Sequence, residues 1–168
     1  MDHKHIVAIT GIIVKEGKYL ITQRSFNKKA FPGKWTLPGG GLEVSDYLDI
    51  PKDTSEHWYR VLEKALRREI FEEVGLKVGE ITYLTNLAFL KKEEPCLVIS
   101  MFAPYQGGEV VLNDESIDYR WVSLEEAIFF DLIEGIYEEL VILDDLLSKN
   151  SAKKMTFSFD KKQLGGEI

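Results

Sequence analysis

A mixed α/β (α+β) domain is the fold class this sequence predicts, and three observations predict it. Short runs rich in β-branched and aromatic residues recur along the chain, a long stretch without Pro or Gly ends at Gly75, and a capped helical region closes the domain. The 168 residues suit one domain, and 45% hydrophobic content with 9 Phe, 7 Tyr and 3 Trp supplies the apolar surface for a core. A net charge of −7 offers no broad basic surface, which argues against a nucleic-acid polymer as partner and means that a polyphosphate ligand needs a cation. The single cysteine, Cys96, excludes an intramolecular disulfide framework and a multi-cysteine zinc site. The first apolar stretch, Ile6 to Ile9, is too short for a signal peptide or a membrane span, so a cytoplasmic location without a membrane partner is expected.

Taken in order, Ile6 to Val14 and Lys18 to Thr22 read as a hairpin across Lys15-Glu16-Gly17. Between Ser25 and Gly41 the periodicity stops, and Pro32, Gly33, Pro38 and Gly39 to Gly41 mark a loop with unusual backbone angles. Leu42 to Asp53 is acidic and irregular; Thr54 or Ser55 then caps a helix expected from about Glu56 to Val74, with Gly75 as its stop. Further strands are predicted at Glu80 to Leu90, Leu97 to Ala103 and Tyr119 to Val122. Ser123-Leu124-Glu125-Glu126 is a capping box that opens a short helix, and Asp131 to Ser148 supplies a longer one, weakened at Gly135. The domain spans residues 1–150. In the tail, 151–168, Met155, Phe157 and Phe159 alternate with polar residues at the period of a strand, so the tail is either an edge strand or a frayed terminus.

The chemistry concentrates in Arg68-Glu69-Ile70-Phe71-Glu72-Glu73-Val74-Gly75-Leu76. Glu72 and Glu73 follow Glu69 by three and four positions, so the three carboxylates share one side of a helix and repel one another. Such a cluster is either a solvated acidic face or a site for a hard cation held by oxygen ligands. The upstream loop Trp35-Thr36-Leu37-Pro38-Gly39-Gly40-Gly41-Leu42-Glu43 decides for the second. Together these residues resemble the Nudix family, whose box reads G-x5-E-x7-R-E-U-x-E-E-x-G-U, with U a bulky apolar residue. Arg68, Glu69, Ile70, Glu72, Glu73, Gly75 and Leu76 each fall on a box position, and Gly40 answers the opening glycine. Gly40 and Arg68 are 28 positions apart where the box allows 14, so an insertion interrupts the box, placed at about residues 44–59. The box's first glutamate has no single counterpart: Arg60 stands there counting back from Arg68, Asp46 counting forward from Gly40, and Glu56 or Glu63 could substitute.

The resemblance extends over roughly residues 6–147, through Gly11 to Val14, Tyr19 to Arg24, Gly33-Lys34-Trp35 and Asp118 to Val122. It implies an α/β/α sandwich around a mixed sheet, and hydrolysis of a nucleoside diphosphate-linked compound by water attack on its pyrophosphate, with Mg²⁺ or Mn²⁺ as cofactor. Glu69, Glu72, Glu73 and, from a loop, Glu115 are the implied metal residues, and Glu69 or Glu72 could also serve as base. Arg68 would orient a carboxylate. Gly39 and Gly40 would admit backbone close to metal or phosphate, Arg24 would contact phosphate, and Trp35 would either stack on a base or pack the loop. A nucleoside triphosphate or modified nucleotide is the favoured substrate. An ADP-ribose-type pyrophosphatase and a non-hydrolytic nucleotide sensor are the alternatives, and a homodimer is the family-weighted default. An isopentenyl diphosphate isomerase is disfavoured by one Cys and three scattered His. The insertion is expected to lengthen the catalytic helix at its N-terminus and to form a flap or rim over the cleft. Glu72→Gln and Glu73→Gln are each expected to abolish most turnover with the fold retained, because relieving repulsion on an exposed acidic face costs no stability. Unchanged turnover of both variants in saturating Mg²⁺ would remove the metal assignment.

Overall fold

The computed structural model describes residues 4–163, with side chains to residue 151. The near-continuous apolar run from Ile6 to Val14 forms strand β1 (Ile6–Lys15), which turns at Glu16-Gly17 into β2 (Lys18–Arg24). The glycine-rich loop contributes two short strands the sequence did not announce, β3 (Trp35–Thr36) and β4 (Gly39–Gly41). A four-residue helix α1 (Ser45–Leu48) precedes the main helix α2 (Val61–Val74). Then come β5 (Lys77–Val78), β6 (Thr82–Lys91), β7 (Glu94–Gly107), β8 (Ser116–Val122), α3 (Leu124–Ala127) and α4 (Ile136–Gln163). β1 is the hub of the sheet. It runs antiparallel to β2 and β4 and parallel to β7 from Ile6↔Cys96 to Val14↔Pro104; β2 carries β3 and β8, and β7 carries β5 and β6.

The two faces of β1 bury different helices, as a side-chain period of two requires. Ile9 and Ile13 pack with Leu66, Ile70 and Val74 of α2, while Ile12 packs with Leu140 and Leu143 of α4, beside Tyr19 and Val122. The result is the α/β/α sandwich with a mixed sheet. Tyr19 also ties α4 to the sheet, its hydroxyl donating to Asp144 at 2.8 Å. Ser123 and Glu126 form the expected capping box, and Gly75 ends α2, its N–H donating to the Phe71 carbonyl. Among the described residues no helix is long and apolar enough to cross a membrane.

Three expectations need correction. The main helix starts at Val61 rather than Glu56, so the insertion does not lengthen it. Residues 49–60 instead satisfy their polar groups locally: the Trp58 indole donates to the Ile50 carbonyl at 3.0 Å, the Tyr59 N–H to Asp53 at 2.9 Å and the His57 N–H to Thr54 Oγ1 at 3.0 Å. Side-chain bonds of this kind compete with the helical ladder and win here, and Arg60 leaves the loop in the left-handed region, φ 57°. The second correction concerns the last helix, which begins after Gly135, at Ile136, rather than at Asp131. Lastly, α4 continues to Gln163 and residues 155–160 form no edge strand; no Pro or Gly interrupts the chain from Ile136 to Gln163. Residues 164–168 of the tail, and the side chains of Met155, Phe157 and Phe159, lie outside what is described.

α4 carries one costly group. Glu139 is 5% exposed, faces the buried Ser100, and its Oε2 has no hydrogen-bond partner among the described residues. Burial pushes its carboxyl above the usual range, against the Ser100 hydrogen bond. A carboxyl raised on folding stabilises the fold at low pH and forfeits that contribution as pH climbs from its unfolded value to its folded one. Glu139→Gln is therefore expected to raise Tm at pH 7 and to lose that advantage at pH 4; an equal or lower Tm at pH 7 would refute it.

Candidate active site

Helix α2 is pinned by Ala65, Leu66, Ile70 and Val74, all buried against the sheet. That fixes its rotation and turns Glu69 and Glu73 toward β4. The fit is close: a Cβ on Gly40 would lie 2.5 Å from Glu69 Oε1, and the Gly39 N–H donates to Glu73 Oε2 at 3.0 Å. Gly39 is needed for a different reason, because its φ is 152° and a Cβ there would meet the Ile9 carbonyl oxygen at 2.1 Å.

Arg68 gathers the acids on the other side. Its Nε donates to Asp46 Oδ1 at 2.7 Å, its Nη1 to Glu72 Oε2 at 2.9 Å, and its Nη2 stands 3.0 Å from Glu69 Oε1. The Asp46 side chain is 2% exposed and also accepts the Glu43 N–H at 2.8 Å. Of the residues that could answer the first acid of the motif, Asp46 is the one placed on the arginine; Arg60 instead stands 3.9 Å from Glu63 on the surface. The forward count from Gly40 thus lands on the acid that meets the arginine. Burial works to raise the Asp46 carboxyl, but the Arg68 guanidinium and the Glu43 N–H hold it below the usual carboxylate range.

The acidic face is less exposed than expected. The Glu72 side chain is 54% exposed but that of Glu69 only 14%. Burial raises the Glu69 carboxyl against the pull of Arg68. Burial also pushes Glu73 up to about 7, with Glu69 and Glu115 adding to the rise and the Gly39 N–H and Arg24 opposing it.

Glu115 reaches this neighbourhood through backbone bonds no motif announces. The Asn113 N–H donates to the Glu73 carbonyl at 3.2 Å, and the Ser25 N–H to the Glu115 carbonyl at 2.8 Å, joining the loop before β8 both to α2 and to the end of β2. The Glu115 carboxylate is paired with Lys28 Nζ at 2.7 Å, a residue the sequence did not single out and for which it holds no periodic signal. Arg24 spends its Nε on the Ala30 carbonyl at 2.9 Å, yet lies near enough for Glu73 to feel its charge. Trp35 is 9% exposed, its ring met by the edge of Phe130 at 4.9 Å, and its backbone is bonded to Asp131 and Ile133. The structure thus corrects the base-stacking option: Trp35 packs the loop.

Among the described residues no group of three or more His, Cys, Asp or Glu side chains is already gathered to hold a metal ion. The donor chemistry nevertheless fits a hard divalent cation. All donors are oxygens, the charge of Glu69 adds to the rise of the Glu73 carboxyl, and Gly40 leaves Glu69 without an intervening side chain. Gly40→Ala is expected to displace Glu69 and lower divalent-ion affinity with Tm nearly unchanged, whereas Gly39→Ala, which collides with backbone, should cost about 1 to 3 kcal/mol of stability. Thermal melts and Mn²⁺ titrations of the two variants check this, and equal Tm losses would refute the distinction.

A NUDIX domain family model matches residues 3–142. The nucleoside triphosphatase NudI of Escherichia coli (strain SE11) is 33% identical over 132 residues, covering 72% of this chain and 84% of the relative. Among solved structures, the MutT protein from Methanosarcina mazei Go1 aligns with a TM-score of 0.67 and 26% identity, over 89% of this chain and 99% of that one. The NUDIX domain of Shewanella oneidensis NrtR complexed with ADP ribose aligns with a TM-score of 0.68 at 16% identity, over 87% of this chain and 90% of that one, a likeness of fold alone.

Proposed function

The chain belongs to the Nudix family of hydrolases, and from that premise we propose that it is a nucleoside triphosphate pyrophosphohydrolase with Mg²⁺ or Mn²⁺ as its ion, acting in the cytoplasm. The observation that carries the proposal is the juxtaposition of Glu69 and Glu73 with the backbone of Gly39 and Gly40, with Glu72 tied to the same helix through Arg68. The substrate class is supported by the 33% identity to a nucleoside triphosphatase.

Glu69, Glu72 and Glu73 are the metal carboxylates, with Glu115 facing them from the loop before β8. When bound, divalent ions neutralise phosphoryl oxygens and acidify water. Arg68 is a positioning residue: it pairs with both Glu69 and Glu72 and so offsets their repulsion, and the buried Asp46 holds Arg68. Glu69 or Glu72 takes the proton from the attacking water. The α–β anhydride P–O bond breaks as the water oxygen bonds phosphorus, giving nucleoside monophosphate and pyrophosphate. Arg24 and the open backbone at Gly39 and Gly40 receive the phosphates.

The test is a panel of nucleoside triphosphates, ADP-ribose, NADH and dinucleoside polyphosphates, with Mg²⁺, Mn²⁺ or chelator. Pyrophosphate release from triphosphates, lost with chelator and in Glu73→Gln, is expected; turnover of ADP-ribose alone, or binding without turnover, would overturn it. A pH profile adds a second check. Glu73 keeps its proton below about 7 and must lose it to hold an ion, so Mn²⁺ affinity should rise as pH passes through that value. A flat profile would exclude Glu73 from the metal site.

A further inference from the structure

We propose that Lys28 and Glu115 are an exchangeable ion pair, in which the Lys28 ammonium leaves Glu115 to hold a phosphoryl group of the substrate while the freed Glu115 carboxylate turns to the divalent ion. The inference rests on Glu69, Glu72 and Glu73 being the metal carboxylates.

The pair is built into the backbone. The Ser25 N–H donates to the Glu115 carbonyl at 2.8 Å, the Lys28 N–H to the Ser25 carbonyl at 3.1 Å, and the Asn27 N–H to Ser25 Oγ at 3.3 Å. On the other strand of the contact, the Glu115 N–H donates to Asn113 Oδ1 at 3.0 Å, and Asn113 is itself bonded to the Glu73 carbonyl. Lys28 Nζ and Glu115 Oε2, 2.7 Å apart, are thus held beside the end of the acidic helix, and the charge of Glu115 is felt at Glu73.

Both side chains remain open enough to change partners, Lys28 being 30% and Glu115 43% exposed. Two arginines of the site are less free to move: Arg68 is shared among three carboxylates, and Arg24 is tied to the Ala30 carbonyl. An ammonium on a flexible stem suits phosphate as a point charge. A polyphosphate arriving with its cation brings a partner for each member of the pair, so neither charge is stranded during the exchange.

Exchange makes Lys28 a competitor of the metal for Glu115. Removing it should therefore tighten divalent-ion binding in the absence of substrate while weakening the hold on substrate. Free Mn²⁺ counted by EPR in titrations of the full chain is expected to show Lys28→Met and Lys28→Ala binding Mn²⁺ about 3- to 10-fold tighter than wild type. The gain should vanish in Lys28→Met combined with Glu115→Gln. In steady state, Lys28→Met should raise KM for the best triphosphate several-fold with a smaller change in kcat, and Lys28→Arg should restore KM. Unchanged or weaker Mn²⁺ binding in both single Lys28 variants, with Glu73→Gln still abolishing it, would overturn the exchange alone. Full Mn²⁺ binding by Glu73→Gln would overturn the metal reading beneath it and the exchange with it.

Discussion

One guanidinium makes the acidic helix tolerable. Glu69, Glu72 and Glu73 repel across three and four positions, and without a counter-charge that repulsion would work against the helix that carries them. Arg68 sits on the same helix and meets Asp46, Glu69 and Glu72 at 2.7 to 3.0 Å. Because Asp46 is buried and bonded to the Glu43 backbone, the arginine is anchored from outside the helix as well as within it. Glu73 is left outside this arrangement, and its burial pushes its carboxyl up to about 7.

The rest of the site depends on how closely β4 approaches α2. β4 exists because β1 offers it an edge at Ala8 to Thr10, and β1 in turn is held at the centre by β2 and β7. The approach leaves no room for a Cβ at Gly40 and none at Gly39, for two different neighbours, a carboxylate and a backbone carbonyl. A loop that supplies only backbone at this point gives the acids an uncluttered front, which chemistry on a charged, bulky phosphate requires. The insertion disturbs none of this. Its later part bonds to itself through Trp58, Asp53 and Thr54, and the chain enters α2 through Arg60.

Local sequence determined a great deal. The spacing of Glu69, Glu72 and Glu73, the stop at Gly75, the capping box at Ser123 and the hairpin between β1 and β2 all follow from interactions within a few residues, which is the range over which a linear pattern carries physical information. The start of α2 is not legible because Thr54 and Asp53 bond within their own turn rather than cap the helix, two outcomes with the same residue types. The alternation at Met155, Phe157 and Phe159 misled for a similar reason: three apolar residues in six fit a strand period but also tolerate a helix.

Tertiary structure alone decided the partners. Which acid faces Arg68 is not legible along the chain, because an interrupted motif gives two different counts and only the fold brings Asp46 to the guanidinium. Glu115 and Lys28 lie 87 residues apart in sequence and meet because Ser25 bonds to the Glu115 backbone at 2.8 Å. Trp35 is buried by Phe130, nearly a hundred positions away. The types of charged group and the helix and strand signals that rest on a few neighbouring residues, such as the stop at Gly75 and the capping box at Ser123, are legible along the chain. The charge each acid actually bears, and the cation it answers to, depend on burial and on residues brought from other strands, and these exist only once the sheet has assembled.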